Sequence, residues 1–308
     1  MSLGRQGFSS EVIKVMLSAR RKSSNKLYTS YLNMYAQFCK DEGICPVSAT
    51  VPQGLSFLMK LYQDGVNRGS SAMCTARSAL SSVICMPDGT KFGDNMFVKQ
   101  FMKGVHSLRP SQPRYLVTWD PQLVLDEFCK DIWNPPQDLT LYFLSVKIVM
   151  LMLLATYQRG QMITALDLSR MTRSENEITF RLLASDFKQG NRKGFKPVPI
   201  VFRRFEDVNL CIVNHIDAYL AETASVRGDI TAFFITSRKP YNSVSRATVS
   251  RWVKVAMQYA GINVNLFAPG STRSASTSKA ALDGVPVEEI MGKAGWSKES
   301  TFLKWYRR

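Results

Sequence analysis

The sequence predicts a mainly α-helical protein with one small antiparallel β-sheet, an all-helical first domain being followed by a mixed α+β second domain. Three observations predict it. Apolar residues recur at spacings of three and four in segment after segment, the signature of amphipathic helices. Two short alternating runs, "EITFRLL" and "KPVPIVF", flank a Gly-containing, cation-rich turn. The stretch "RPSQPRYLVTWDP", with three prolines, interrupts the helical pattern near residue 110. The domains are therefore drawn as 1–110 (helical), 111–120 (a stiff, extended, basic linker) and 121–308 (mixed).

In the first domain, Leu27, Tyr28, Tyr31, Leu32, Tyr35 and Phe38 mark one face of a helix, with Ser23, Ser24 and Asn25 as candidate N-caps. "DEGICPVSATVPQ" is a loop. "GLSFLMKLYQDG" is a second helix closed by Gly65. "SSAMCTARSALSSVICM" is a third, capped by Ser70 or Ser71, and "NMFVKQFMKGVHSLRP" a fourth, stopped by Pro110. Beyond the linker a helix starts near Pro121. The apolar run "YFLSVKIVMLMLLATY", broken by Lys147, reads as a buried helix ending near Arg159. After the hairpin, helices return at "LCIVNHIDAYLAETA", "SRATVSRWVKVAMQYAG", "STRSASTSKAALDG" and "VPVEEIMGKAG". The last residues, "STFLKWYRR", are either a final packed helix or the carrier of a reactive phenol.

With 308 residues, 45% hydrophobic and 21% charged, the composition is that of a globular protein. No run of about 18 apolar residues occurs, so no membrane-spanning helix is expected, and "MSLGRQGFSSEVIK" lacks the apolar centre of a secretory signal. Six cysteines without a C-x-x-C pair, and two histidines remote from them in sequence, argue for reduced thiols and against a zinc site. The net charge is +16, from 40 Lys+Arg against 24 Asp+Glu. Residues 1–112 hold 14 basic and 6 acidic side chains and residues 113–308 hold 26 and 18, so each part nets +8. A cationic excess on both parts suits a polyanion gripped from two sides, because each phosphate neutralised releases counterions.

Several cations and aromatics stand out. Arg159 follows a buried run, where a guanidinium requires either an anionic partner or an exposed helix end. Arg273 lies among small residues in "GSTRSAST". Lys188 sits at the hairpin tip. Trp296, in "AGWS", brings one N–H donor, and Tyr306 follows ten positions later. Singly, each has an ordinary reading as a surface cation or a packed ring.

Taken in order, these positions resemble the tyrosine recombinase (phage integrase) family. The pieces "TYQRGQMITAL", "STRSASTSKAALDGVPVEEIMGKAGWSKESTFLKWYRR" and "SARRKSSNKLYTSYLNMYAQFC" look closest to its DIRS-like retrotransposon branch. The resemblance covers most of the chain. It implies that residues 1–110 are a DNA core-binding domain and that residues 121–308 are catalytic. Tyr306 would be the nucleophile, forming a 3′-phosphotyrosine and leaving a 5′-hydroxyl. Arg159 and Arg273 would clamp the non-bridging oxygens. Trp296 would donate its indole N–H, and Lys188, or Lys193 in another hairpin register, would be the general acid. No metal or cofactor is implied.

Two positions depart from the pattern: Gly270 stands three residues before Arg273, where the family usually has histidine, and Met162 stands where an acidic residue often supports the site. Two readings therefore remain. One is a DNA recombinase or integrase from a mobile element, slowed by the lost group. The other is a decayed or repurposed DNA-binding protein. By analogy the partners are double-stranded DNA and further copies of the chain, as a tetramer on DNA. The chain ends two residues after Tyr306 with no evident tail to donate, which leaves the assembly mode open. A nuclear site of action is expected, "ARRKSSNK" being the nearest approach to an import cluster.

Overall fold

The structure is a computed structural model that describes residues 9–19, 22–65, 69–187 and 196–306. The chain divides into two compact units, Met1–Gln112 and Pro113–Arg308.

The first unit holds α1 (Ser10–Ser18), α2 (Lys22–Asp41), α3 (Val51–Asp64), α4 (Ser70–Leu80) and α5 (Met96–Leu108). Its core gathers Tyr35, Phe38, Phe57, Leu58, Leu61, Met73, Ala76, Leu80, Phe92 and Val98. Two local expectations are corrected. Ser23, Ser24 and Asn25 lie inside α2 rather than before it, in helical backbone that an N-cap does not adopt. Gly69, not Ser70 or Ser71, is the N-cap of α4 and makes no side-chain cap bond. Helix α3 starts earlier than the pattern suggested, because Thr50 and Gln53 form a reciprocal capping box ahead of Val51. Helix α1 lacks a counterpart in the sequence reading.

The second unit holds α6 (Gln122–Phe128), α7 (Leu141–Thr156), α8 (Gly160–Ile163), β1 (Met171–Arg173), β2 (Glu177–Phe180), β3 (Ile200–Arg203), α9 (Ile212–Thr223), α10 (Arg246–Tyr259), α11 (Thr272–Leu282), α12 (Val287–Ala294) and α13 (Glu299–Trp305). The sheet order is β1-β2-β3, both pairs antiparallel, with Phe180 opposite Ile200 and Glu177 opposite Arg203. Ile178, Phe180, Ile200 and Phe202 turn inward and join the core. The predicted hairpin is thus present, with residues 181–199 as its connection and β1 as a third strand added at its edge.

Helix α7 is buried on all sides from Leu144 to Leu154 and forms the centre of the unit. Its Lys147, with no exposed surface, satisfies its three N–H donors on Phe128 O at 3.1 Å, Trp133 O at 2.9 Å and Asn134 Oδ1 at 2.7 Å. The segment read as a stiff, extended linker packs on the second unit from Tyr115 onward. The Tyr115 ring meets Phe267 at 5.4 Å, its oxygen accepts from Ala268 N–H at 2.9 Å, and buried Trp119 donates to Ser271 Oγ at 2.9 Å.

His215 is fully buried on α9, its Nδ1 2.8 Å from Cys211 O. Burial first, and repulsion from Lys147 second, hold its pKa down at about 4 against an ordinary 6.5. The unfolded chain therefore takes up this proton at higher pH than the folded one, and folding stability falls as pH drops from about 6.5 to about 4. His215 alone accounts for about 3 kcal/mol of that loss. Melting curves across this window are expected to be flatter in His215→Gln than in the native chain; parallel curves would remove His215 as the cause.

Candidate active site

Helix α7 ends at Thr156, three residues short of Arg159. Tyr157 closes it in the left-handed region at φ 55°, its N–H bonded to Leu153 O at 3.2 Å. Left-handed backbone is costly for a residue with a Cβ, and the Tyr157 ring offsets this by packing beside Ala280, Ile290 and Phe302. The turn throws the chain outward. Gln158 donates to Lys293 O at 2.5 Å, and Arg159 stands extended as the N-cap residue of α8. Arg159 is thus a loop residue rather than a helix end. It is exposed, and its Nη2 lies 3.4 Å from the Tyr306 hydroxyl.

Arg273, in the first turn of α11, is 4% exposed and has no carboxylate partner among the described residues. Its Nη2 donates to Ala294 O, the carbonyl at the end of α12. The guanidinium lies 4.5 Å from the Trp296 ring and 5.5 Å from the Tyr306 ring. Burial above all, then the like charge of Arg159, lowers its pKa to about 9, with Tyr306 opposing. It remains a cation at neutral pH. Its Nε is buried and has no acceptor.

Gly295, at φ 68°, ends α12 in the left-handed conformation that glycine adopts without strain, and so turns Trp296 back onto the site. The Trp296 ring stacks on Phe302 at 5.6 Å and lies 4.4 Å from the Tyr306 ring. Its Nε1 is also buried without an acceptor. Tyr306 follows the last turn of α13, its N–H bonded to Phe302 O at 2.9 Å. Phe302 is fully buried and seats α13 against Ala280 and Ile290. Lys188 and Lys193, and the side chain of Trp305, lie outside the described residues.

Four predicted site residues, Arg159, Arg273, Trp296 and Tyr306, therefore come together from four separate elements. A cavity of about 1080 Å³ opens beside them, lined by Arg159, Arg273 and Trp296 together with Lys196, Arg203 and Lys293. The three further cations were not singled out from the sequence. Gly270 lies in the turn before α11, and a Cβ placed there meets nothing within 4 Å. Met162 is buried.

Two serines on α11 also escaped the sequence reading. Ser274 Oγ donates to Tyr306 O at 3.1 Å and Ser278 Oγ at 2.5 Å. Their spacing of four residues puts both hydroxyls on the face that carries Tyr306, so the helix bearing Arg273 also holds the backbone of the tyrosine. That spacing was the only available signal. If the latch positions the phenol, Ser274→Ala/Ser278→Ala lowers the turnover rate of a Tyr306-dependent reaction by about tenfold, the value of 1.4 kcal/mol, with KM unchanged. Hydrogen exchange over residues 299–306 rises in parallel. Unaltered exchange would show that the two bonds do not hold α13.

No protein-family model matches the chain, and no curated protein matches it in sequence. Solved structures do. The Tn1549 transposon integrase in complex with transposon right-end DNA is similar with a TM-score of 0.60 at 12% identity, covering 96% of this chain and 93% of that one. A lambda integrase dimer bound to a core site gives 0.53 at 14% identity, covering 97% and 93%. The XerH site-specific recombinase in a post-cleavage complex gives 0.53 at 11%, covering 83% and 69%. The class of fold is thereby settled: mainly α with a small three-stranded antiparallel sheet, the integrase fold of these tyrosine recombinases. At such identities the likeness extends to the fold.

Proposed function

We propose that this protein is a site-specific DNA recombinase that cuts and rejoins duplex DNA through a 3′-phosphotyrosyl intermediate. The observation that carries the proposal is a pair of buried donors without acceptors, Arg273 Nε and Trp296 Nε1, beside a tyrosine hydroxyl held by Arg159. Buried polar groups are nearly always paired, and an unpaired buried cation is costlier still. A phosphodiester bound between Arg159, Arg273 and Trp296 supplies the missing acceptors and the missing negative charge. Guanidiniums on its non-bridging oxygens stabilise the charge that gathers as phosphorus becomes five-coordinate.

The step balances without an outside reagent. The Tyr306 oxygen loses its proton and bonds to phosphorus, the bond from phosphorus to the 5′-oxygen breaks, and the leaving oxygen takes a proton from Lys188 or Lys193. The reverse sequence rejoins the strand. Trapping the bond energy in the phosphotyrosine makes the exchange reversible. Origin in a mobile element of the DIRS-like branch, a nuclear site of action and assembly as a tetramer on DNA belong to the same proposal. The lambda integrase and XerH structures, solved on DNA, lend support at the level of fold.

Gly270 favours one alternative, a DNA-binding protein without turnover, because no side chain at that position can handle a proton. The deciding experiment uses nicked suicide duplexes, from which a cleaved strand diffuses away. A covalent protein–DNA adduct mapped by peptide mass to Tyr306 supports the enzyme. Salt-sensitive duplex binding with no adduct supports the alternative.

A further inference from the structure

A second basic site lies within the first unit, and nothing in the catalytic chemistry uses it. Between α2, α4 and the turn at Phe92–Asp94 is a cavity of about 290 Å³, lined by Tyr28, Arg77, Ser81, Lys91, Gly93 and Asp94 among others. Arg77 is half-buried, its Nε is sealed from solvent without an acceptor, and it forms no ion pair among the described residues. Asp94, at the rim, is exposed and is not paired with Arg77 or Lys91.

None of the neighbouring serines accepts from Arg77 Nε. Ser78 Oγ donates to Cys74 O at 2.8 Å, Ser82 Oγ to Ala79 O at 2.7 Å, and Ser81 Oγ to Arg77 O at 2.8 Å. Each serine hydroxyl proton is already engaged, and the charged donors of the lining are the guanidinium of Arg77 and the ammonium of Lys91. The wall is also built for close approach. Gly93 N–H binds Ser81 Oγ at 2.9 Å, and a Cβ on Gly93 would come to 2.6 Å from that oxygen and 3.3 Å from Arg77 Nε. Any side chain there would crowd the guanidinium.

A small cavity with one half-buried guanidinium fork, one exposed ammonium and a glycine wall is complementary to a tetrahedral oxyanion. We infer that Arg77 and Lys91, far along the chain from Tyr306, hold one backbone phosphate of the DNA. The inference rests on the DNA recombinase reading; the oxyanion chemistry itself would equally take free inorganic phosphate, and the test separates the two.

DNA affinity is measured against salt for the native chain, Arg77→Met and Lys91→Met, with circular dichroism to confirm folding. Lys91 is exposed, so its variant carries the test even where Arg77→Met fails to fold. Losing one phosphate contact makes the slope of log K against log salt shallower by about 0.9, so a fourfold rise in salt costs the variant about 3.5-fold less affinity than the native chain. In parallel, the Arg77 Nε–H resonance, assigned by its loss in Arg77→Met, is followed as inorganic phosphate is added. A moving resonance together with shallower slopes establishes the contact. A moving resonance with unchanged slopes overturns it in favour of free phosphate. A resonance that phosphate does not move, with unchanged slopes, overturns the site altogether. A native chain with no salt-dependent DNA binding defeats the functional reading instead, whatever the Arg77 resonance does.

Discussion

Tyr306→Phe is expected to yield no covalent adduct at all on suicide duplexes while binding them as tightly as the native chain. The substitution removes one oxygen, whose only bond among the described residues is the 3.4 Å contact from Arg159. The ring keeps its place against Trp296 and beside Phe302, and the backbone keeps its bonds to Ser274 and Ser278. Stability should therefore stay within about 0.5 kcal/mol of native, as for a change that opens no cavity. Affinity should hold because the charges that meet the phosphate are untouched. The measurements are an adduct gel, fluorescence anisotropy on labelled duplex and a melting curve. Persistence of an adduct in Tyr306→Phe would mean that another group attacks, and the site as drawn would have to be abandoned. An adduct lost together with affinity would mean that the phenol serves binding rather than attack.

How much of this was readable from the chain varies with the range of the interactions involved. Helix α7 was legible because its run of apolar residues fits only a buried helix, and Lys147 was legible as a break in it; the three acceptors that make Lys147 tolerable, contributed by the chain around residues 128–134, were not. Strands β2 and β3 alternate and were seen, whereas β1, three residues in length, carries too little pattern to register. Helix ends shifted where backbone set the cap, as at Gly69 and at the left-handed Tyr157, and at α3, where the Thr50–Gln53 box moved the start. The site itself is non-local: Arg159 and Tyr306 stand 147 positions apart. No periodicity brings such residues together, and their grouping came from family resemblance in order and type. The serine latch and the Tyr115 and Trp119 contacts with residues 267–271 belong to the same non-local class, and no resemblance pointed to them.

Arg273→Met should separate stability from function in opposite directions. In the folded chain the Arg273 guanidinium is buried, has the cation Arg159 as a charged neighbour, and has its pKa lowered to about 9. The sign follows from linkage. A cation whose pKa is depressed on folding is penalised at every pH where the unfolded chain keeps the proton, so its cost is complete below about 9 and fades as pH rises towards the ordinary arginine range. At neutral pH the fold therefore bears that cost in full. Methionine keeps much of the stem that packs on Trp296, forfeits the bond to Ala294 O and removes the charge. The net gain should be about 1 kcal/mol, which raises Tm by about 2–4 °C in a unit of this size. The reaction should slow by about 10²–10³-fold, the usual consequence of deleting one donor to a developing oxyanion. Adding phosphate should lift the Tm of the native chain towards that of the variant, because an anion between Arg159 and Arg273 relieves the same repulsion. A variant that melts lower than the native chain and still forms adduct at the native rate would show that Arg273 is a structural residue, with its burial serving the packing of α11 against α12.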